Sequence, residues 1–330
     1  MQSTGSKPFH CLRLAACWID RVCLILLITL LFGCQDGATP IASIDLAQSD
    51  SLTPISTPEP SVTVALLGDV MLGRAIHPSS ETFRYLKPFL ASADIVLANL
   101  ESPLTNAPAE AESGYMLCAP PGRVKYLAEA GFDLMTLSNN HNLDCGARGL
   151  IETQSTLTSA GLGFIGPAPE PVYRVIHGIK LAFLAFDATT EFHNQTALQA
   201  IRTAREKGFI VVTSIHWGAE YQAGASLDQE QVAVQLAGAG TAVIWGHHPH
   251  VLQQAEWIHD GKTLVLYSLG NALFDQYGLE NTRQSALVLV TVTANGVQGF
   301  KVIPFLIDVR NSRIVEADEG NAAAILRYFK

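Results

Sequence analysis

The chain is poor in charge. Of its 330 residues only 15% are Asp, Glu, Lys or Arg, and 30 acids against 21 bases leave a net charge of −9. The bases are scattered, with no stripe or run, which excludes the electrostatic footprint of a nucleic-acid binder. Cysteine is scarce where a folded domain would use it. Four of the six, Cys11, Cys17, Cys23 and Cys34, lie in the first 34 residues, leaving Cys118 and Cys145. Two cysteines exclude a cysteine-rich zinc fold. They could form one disulfide in an oxidising compartment or remain two free core thiols, and the sequence leaves both open. Apolar residues are not lacking: at 48% they exclude a disordered chain and suffice for one large core or two modest ones.

The N-terminal segment reads as a targeting signal. Lys7, Arg13 and Arg21 precede an apolar run over 22–32 that is too short for a comfortable membrane span. The run ends in Leu31-Phe32-Gly33-Cys34, which resembles a bacterial lipoprotein signal: Leu at −3, Gly at −1, then the cysteine that is lipidated. Residues 1–34 are therefore expected to be a lipoprotein-type signal peptide with Cys34 as the lipidation site. An uncleaved N-terminal anchor is the alternative, to which the bulky Phe32 and the nearby Asp20 point. Both place the remainder outside the cytoplasm and anchored to the cell membrane. Residues 35–60 form a Ser/Thr/Pro-rich linker, broken by Pro40, Pro54, Pro58 and Pro60. Residues 61–330 show no repeat and no second linker, and read as one domain.

Within that domain, short apolar and often β-branched runs cover 62–67, 95–98, 133–137, 180–186, 209–215, 242–245 and 263–267. Helical spacing covers 121–130, 147–160, 196–207 and 228–239. Such alternation argues for an α/β layered fold. The tail, 286–292 and 300–304, reads as antiparallel strand, so the sheets are expected to be mixed.

The polar residues fall at strand ends. Successive runs lead into Gly68-Asp69, Asn99-Leu100-Glu101-Ser102, Ser138-Asn139-Asn140-His141, His216 to Glu220, Gly246-His247-His248-Pro249-His250, and Ser268 to Asn271. Ligand sites of α/β sheets lie outside the carboxyl ends of strands. Carboxylates, amide oxygens and imidazoles together suit Mn, Fe or Zn, as one or two divalent ions. Two ions about 4 Å apart would clamp a tetrahedral substrate, and Asp69 could bridge them. Each motif also has a plainer reading. Gly-Asp after a strand is usually a turn, Asn139 and Asn140 could cap a helix starting near Asp144, and a lone buried histidine is usually structural. Five of the ten histidines, however, fall in three of these motifs, three of them between Gly246 and His250.

Taken in order, Gly68–Arg74, Ala98–Leu104, Ser138–Gly146, His216–Tyr221, Gly246–Val251 and Tyr267–Asn271 with Phe274-Asp275 resemble the motifs of the CapA family of poly-γ-glutamate capsule synthesis proteins. That resemblance implies a four-layer α/β/β/α sandwich of metallophosphatase type with mixed sheets. It implies metal ligation by Asp69, Glu101, Asn140, His216, His248 and His250, and catalytic roles for His141, Asp69 and Glu220. Asn99, Ser102, Asn139, His247, Ser268 and Asn271 become candidate substrate-binding or supporting groups. Partners would be an anionic polymer, poly-γ-glutamate, or a phosphoester substrate, together with membrane-bound capsule-synthesis proteins. The expected role is capsule synthesis, export or anchoring. The alternatives are a metal-dependent hydrolase of phosphoesters or γ-linked amides, and a metal-free polymer-binding module. There are departures. Metallophosphatases carry Asp-x-His where this chain has Asp69-Val70-Met71, and a second Asp where it has Glu101. Cys145 replaces a usual Tyr, and residues 115–120 lack an expected Arg.

Overall fold

Side chains of a strand point alternately to opposite faces, and here both faces are buried. In β1 (Ser61–Val70), Val62, Val64 and Leu66 enter one core, while Ala65 and Leu67 enter another. The structure is a computed structural model describing residues 59–109, 115–190 and 194–330. The expected signal peptide with Cys34, and the linker up to residue 58, lie outside the described residues. After β1 come α1 (Lys87–Leu90), β2 (Ile95–Leu100), α2 (Val124–Ala130), β3 (Leu134–Thr136), α3 (Gly146–Ser159), β4 (Gly163–Ile165), β5 (Val172–Ile176) and β6 (Ile179–Asp187). They are followed by α4 (Asn194–Glu206), β7 (Ile210–His216), α5 (Leu227–Ala239), β8 (Thr241–His247), β9 (Ala255–Ile258), β10 (Thr263–Leu266) and β11 (Asn271–Leu273). The chain closes with β12 (Gln284–Thr293), β13 (Gly296–Asp308), β14 (Arg313–Glu316) and α6 (Glu319–Leu326). Among the described residues no helix is long and apolar enough to cross a membrane.

Two mixed sheets result. The first runs β14-β13-β12-β1-β2-β3-β4, with β11 also paired to β1; the second runs β5-β6-β7-β8-β10-β9. β1 to β4 are mutually parallel, as are β6, β7, β8 and β10, while β12–β14, β5 and β9 join antiparallel. The inter-sheet core joins Val64, Leu66 and Leu97 of the first sheet to Leu181, Phe183, Val212 and Trp245 of the second. Ala65, Leu67 and Val96 pack outward on Leu90, Leu127 and Leu157 of α1, α2 and α3. Leu184, Val211 and Ile244 pack outward on Ile201 of α4 and Leu236 of α5. The order of layers is thus α/β/β/α, as the resemblance implied. Each fully buried Val or Leu contributes about 1.5–3 kcal/mol, so the inter-sheet core is what fixes the sheets against each other. Trp245 adds direction, because its Nε1 donates across the layers to Leu67 O at 2.9 Å.

The elements absent from the sequence reading, such as α1, β5, β9 and β11, are short or lie at edges. In α1, β5 and β9 an exposed side breaks the apolar pattern that marks the central strands, and β11, though buried, is only three residues long. Cys118 and Cys145 form a disulfide, with Cα atoms 6.4 Å apart. That settles the question the sequence left open.

Candidate metal centre

Register places the polar strand ends side by side. Asp69 faces Asn99 of β2 and Asn271 of β11, Asn99 faces Thr136 of β3, and His216 of β7 faces His247 of β8. This approach needs glycine at Gly68, where a Cβ would collide with the Gly270 carbonyl, and at Gly246, where it would collide with that of Tyr267.

Asp69 lies at the centre and is fully buried. Its Oδ1 accepts from Asn99 Nδ2 at 2.9 Å and its Oδ2 from the His248 backbone N–H at 3.2 Å. His247 Nδ1 stands 3.0 Å from Oδ1, and His250 Nδ1 3.4 Å from Oδ2. The first of these contacts is close but off hydrogen-bond geometry, and both ring nitrogens of His247 are buried without a hydrogen-bond partner among the described residues. Glu101 is equally buried, with Oε1 3.7 Å from His216 Nε2 and Oε2 4.0 Å from His250 Nε2. His216 Nε2 also lies 2.9 Å from Asn140 Oδ1, and its ring is 4.9 Å from that of His248. Three of the six expected ligands, Asp69, Glu101 and His216, thus share one buried place, and Asn140, His248 and His250 lie against them.

Burial drives the Glu101 carboxyl well above the usual carboxylate range, and the charge of Asp69 beside it adds to this. Burial acts on Asp69 in the same sense, but its contacts with His247 and His250 hold it well below that range. Burial also pushes the His216 and His248 imidazoles below their ordinary value, which keeps them neutral and able to ligate. The residues fit a divalent ion. Ligand atoms of Asp69, Glu101 and His216 lie within 4.8 Å of one another, and Glu101 Oε2 has no hydrogen-bond partner among the described residues. A buried carboxylate oxygen without a partner is costly, and a cation between Asp69 and Glu101 would satisfy it. Met71, which stands where an Asp-x-His would place imidazole, packs into the helix-side core, its Sδ 3.0 Å from the Gly73 N–H.

The other expected residues divide by position. Asn99 Oδ1 accepts from Thr136 Oγ1 at 2.9 Å and Asn139 Nδ2 at 3.1 Å, making Asn99 a hub beneath Asp69. Ser102 receives the Leu72 N–H, and Ser268 that of Gly270. Asn271 Oδ1 holds His250 Nδ1 at 2.9 Å, leaving Nε2 turned toward Glu101. None of Asn99, Ser102, Asn139, His247, Ser268 and Asn271 lines the cavity next to the cluster, because each is buried among the backbone and side chains that carry the ligands. His141 and Glu220 do line that cavity, which measures about 330 Å3 and is also bounded by His250, Tyr221 and Arg74.

Residues that sequence reasoning did not single out appear here. Asp144 Oδ2 lies 3.0 Å from His141 Nδ1 and accepts the Leu117 N–H at 2.9 Å. The spacing His141-x-x-Asp144 was the available signal. Burial, then Glu220, push the Tyr221 phenol up to about 12. Four of the eight described non-glycine residues with positive φ surround this one place: Arg74 at 45°, Tyr221 at 65°, His248 at 92° and His250 at 56°. Strained backbone of this kind costs on the order of 1 kcal/mol or more per residue and collects at functional sites.

A four-layer sandwich with such a cluster at its strand ends has the fold of metallophosphatase type that the motif resemblance implied. Comparison with known proteins narrows this further. The chain belongs to the family described as bacterial capsule synthesis protein PGA_cap, whose profile matches residues 63–276. It is 32% identical over 299 residues to the capsule biosynthesis protein CapA of Bacillus anthracis, covering 80% of this chain and 72% of that protein. It is 30% identical over 295 residues to the PGA biosynthesis protein CapA of Bacillus subtilis (strain 168), covering 81% and 77%. A crystal structure of a hypothetical protein from Thermus thermophilus superposes with a TM-score of 0.52 over 74% of this chain and 99% of that one, at 16% identity, which supports the fold alone.

Proposed function

We propose that this protein serves the synthesis, export or anchoring of poly-γ-glutamate at the outer face of the cell membrane. It is held there through Cys34 or an uncleaved N-terminal anchor, and works beside membrane-bound capsule-synthesis proteins. The names of its two Bacillus relatives support the polymer role. The Cys118–Cys145 disulfide supports an oxidising compartment. The observation that carries the reading is the buried Asp69–Glu101–His216 group, whose Glu101 Oε2 has no hydrogen-bond partner among the described residues, with His250 beside it lining a cavity. Asp69, Glu101, Asn140, His216, His248 and His250 would hold one or two divalent ions of Mn, Fe or Zn. A bound ion would supply Lewis-acid polarisation of an acyl or phosphoryl oxygen.

A second reading, a hydrolase of γ-linked amides or phosphoesters, is favoured by His141. With Nδ1 held by Asp144, its imidazole stands on the cavity wall in the position of a general acid or base. Glu220 stands on the same wall.

The test is metal content by mass spectrometry, run beside surface polymer in a producing host. Asp69→Asn and His216→Ala should each lose the metal and fail to restore polymer, while melting cooperatively like the parent. Full polymer yield from metal-free variants would reject the metal-dependent reading.

A further inference from the structure

Among the described residues lining the 330 Å3 cavity, Arg74 is the one permanent cation. Its turn is pinned from outside: Arg123 Nη1 donates to Leu72 O and, at 2.8 Å, to Ile76 O. The guanidinium is pinned too. Its Nε donates to Asp275 Oδ2 at 3.1 Å, its Nη2 binds Oδ1, and the Ala75 N–H reaches Oδ2 at 3.1 Å. The Phe274 ring centroid lies 5.4 Å from the guanidinium carbon. A guanidinium offers five N–H groups in a fixed fork. Asp275 occupies the Nε–Nη2 edge. Nη1 has no hydrogen-bond partner among the described residues, and the side chain remains 30% exposed. Arg74 also holds a left-handed φ of 45°, a conformation that a non-glycine residue keeps only where its surroundings impose it. A fork aimed and half-occupied in this way is prepared for an anion.

We propose that Arg74 is the carboxylate-reading residue of this cleft. It would hold the α-carboxylate of a γ-linked glutamyl unit lying between itself and the His141 and His250 wall. This rests on the poly-γ-glutamate reading above. The γ-linkage consumes the side-chain carboxyl, so every unit of such a chain keeps a free α-carboxylate. Glu220, which lies against the Tyr221 phenol, is the one carboxylate among the described residues that line the cleft. Within the lining an anionic group is therefore repelled by Glu220 and attracted by Arg74. The volume lies at the small end of ligand pockets, so it admits a unit or two of the chain.

The test is calorimetric binding of γ-linked tetraglutamate, and of its α-methyl ester, to the Mn-loaded full chain in detergent. Arg74→Ala combined with Asp275→Asn avoids stranding the Asp275 carboxylate, and Arg74→Lys keeps the charge while removing the fork. A charge-assisted hydrogen bond predicts about ten- to hundredfold weaker binding of the free acid in the double variant. The lysine variant should show a smaller loss, and ester binding should be unchanged throughout. Equal losses for acid and ester, or no loss in either variant while the wild type binds, would overturn the role of Arg74 and leave the polymer reading standing. A wild type that binds neither ligand would overturn the polymer reading itself.

Discussion

Reducing the Cys118–Cys145 disulfide should lower stability by an amount the structure fixes. The two cysteines are 27 residues apart in sequence. In the chain-entropy treatment a loop of that length is worth about 3.5 kcal/mol, through states removed from the unfolded ensemble. With unfolding entropy of about 2.1 cal/mol/K per residue over a domain of about 270 residues, this is a fall in Tm of about 6 °C. Reduction is a cleaner perturbation than substitution, because Cys145 is buried and a smaller side chain there would add a cavity term. The assay is calorimetry with and without reductant, with alkylation and mass spectrometry to count free thiols. Metal content should change little, since of the six expected ligands Asn140 alone lies within the bridged loop, while Asp69, Glu101, His216, His248 and His250 sit on β1, just after β2, on β7 and beyond β8. Cleft binding should weaken, because Leu117 beside Cys118 and His141 near Cys145 both line the cavity and share Asp144. A shift below about 1 °C with both thiols demonstrably freed would refute the entropic argument. Loss of metal on reduction would refute the claim that the bridge acts on the cleft alone.

Glu101→Gln should raise the Tm of metal-free protein at neutral pH while abolishing metal binding. The folded-state pKa of Glu101 is raised, so the folded state binds more protons than the unfolded one. Its contribution to stability is therefore present below pH about 4.5 and is lost as pH rises through the folded value. Matching slopes of Tm against pH in the two metal-free proteins would reject this assignment. Gly246→Ala should destabilise by about 1–3 kcal/mol, measured by denaturant midpoint, because the added Cβ meets the Tyr267 carbonyl; an unchanged midpoint would show that β8 can shift. Cys34→Ser should move the protein from the membrane to the soluble fraction, and retention on the membrane would favour the uncleaved anchor.

The sequence made the sheets and the ligands legible for the same reason. Central parallel strands such as β7, buried on every residue, are read directly as apolar runs, and the polar residue that stops such a run is the one placed at the strand end. His216, Asp69 and Glu101 could thus be found from pattern alone. Groups whose role depends on a distant partner could not. Arg74 and Asp275 are 201 positions apart, and nothing local marks either as half of a fork. Cys118 and Cys145 are legible as a possible pair, but their pairing depends on how residues 115–119 return beside α3. Burial also divides residues that look alike in sequence. His247 and His248 are neighbours of identical chemistry, yet His247 is fully buried against Trp245 at a ring distance of 4.4 Å while His248 is partly open.

The cost carried by this centre bears on why it persists. Two buried carboxylates lie together, Glu101 Oε2 lacks a hydrogen-bond partner among the described residues, and four left-handed side-chain-bearing residues belong to this centre or to the cavity beside it. Elsewhere the fold resolves such problems locally: Trp245 finds the Leu67 carbonyl, and Ser226 and Gln229 close a reciprocal cap on α5. If the cluster were only scaffold, an apolar replacement for Glu101 would remove the repulsion and the orphaned oxygen together at little loss of packing. Glu101→Leu in metal-free protein is therefore expected to melt at or above the parent temperature. Metal added in excess should then stabilise the parent and leave the variant unchanged, because binding to the folded state alone raises apparent stability. A variant that melts far below the parent would mean that Glu101 is held by structural contacts, and the argument from its unsatisfied oxygen would fail.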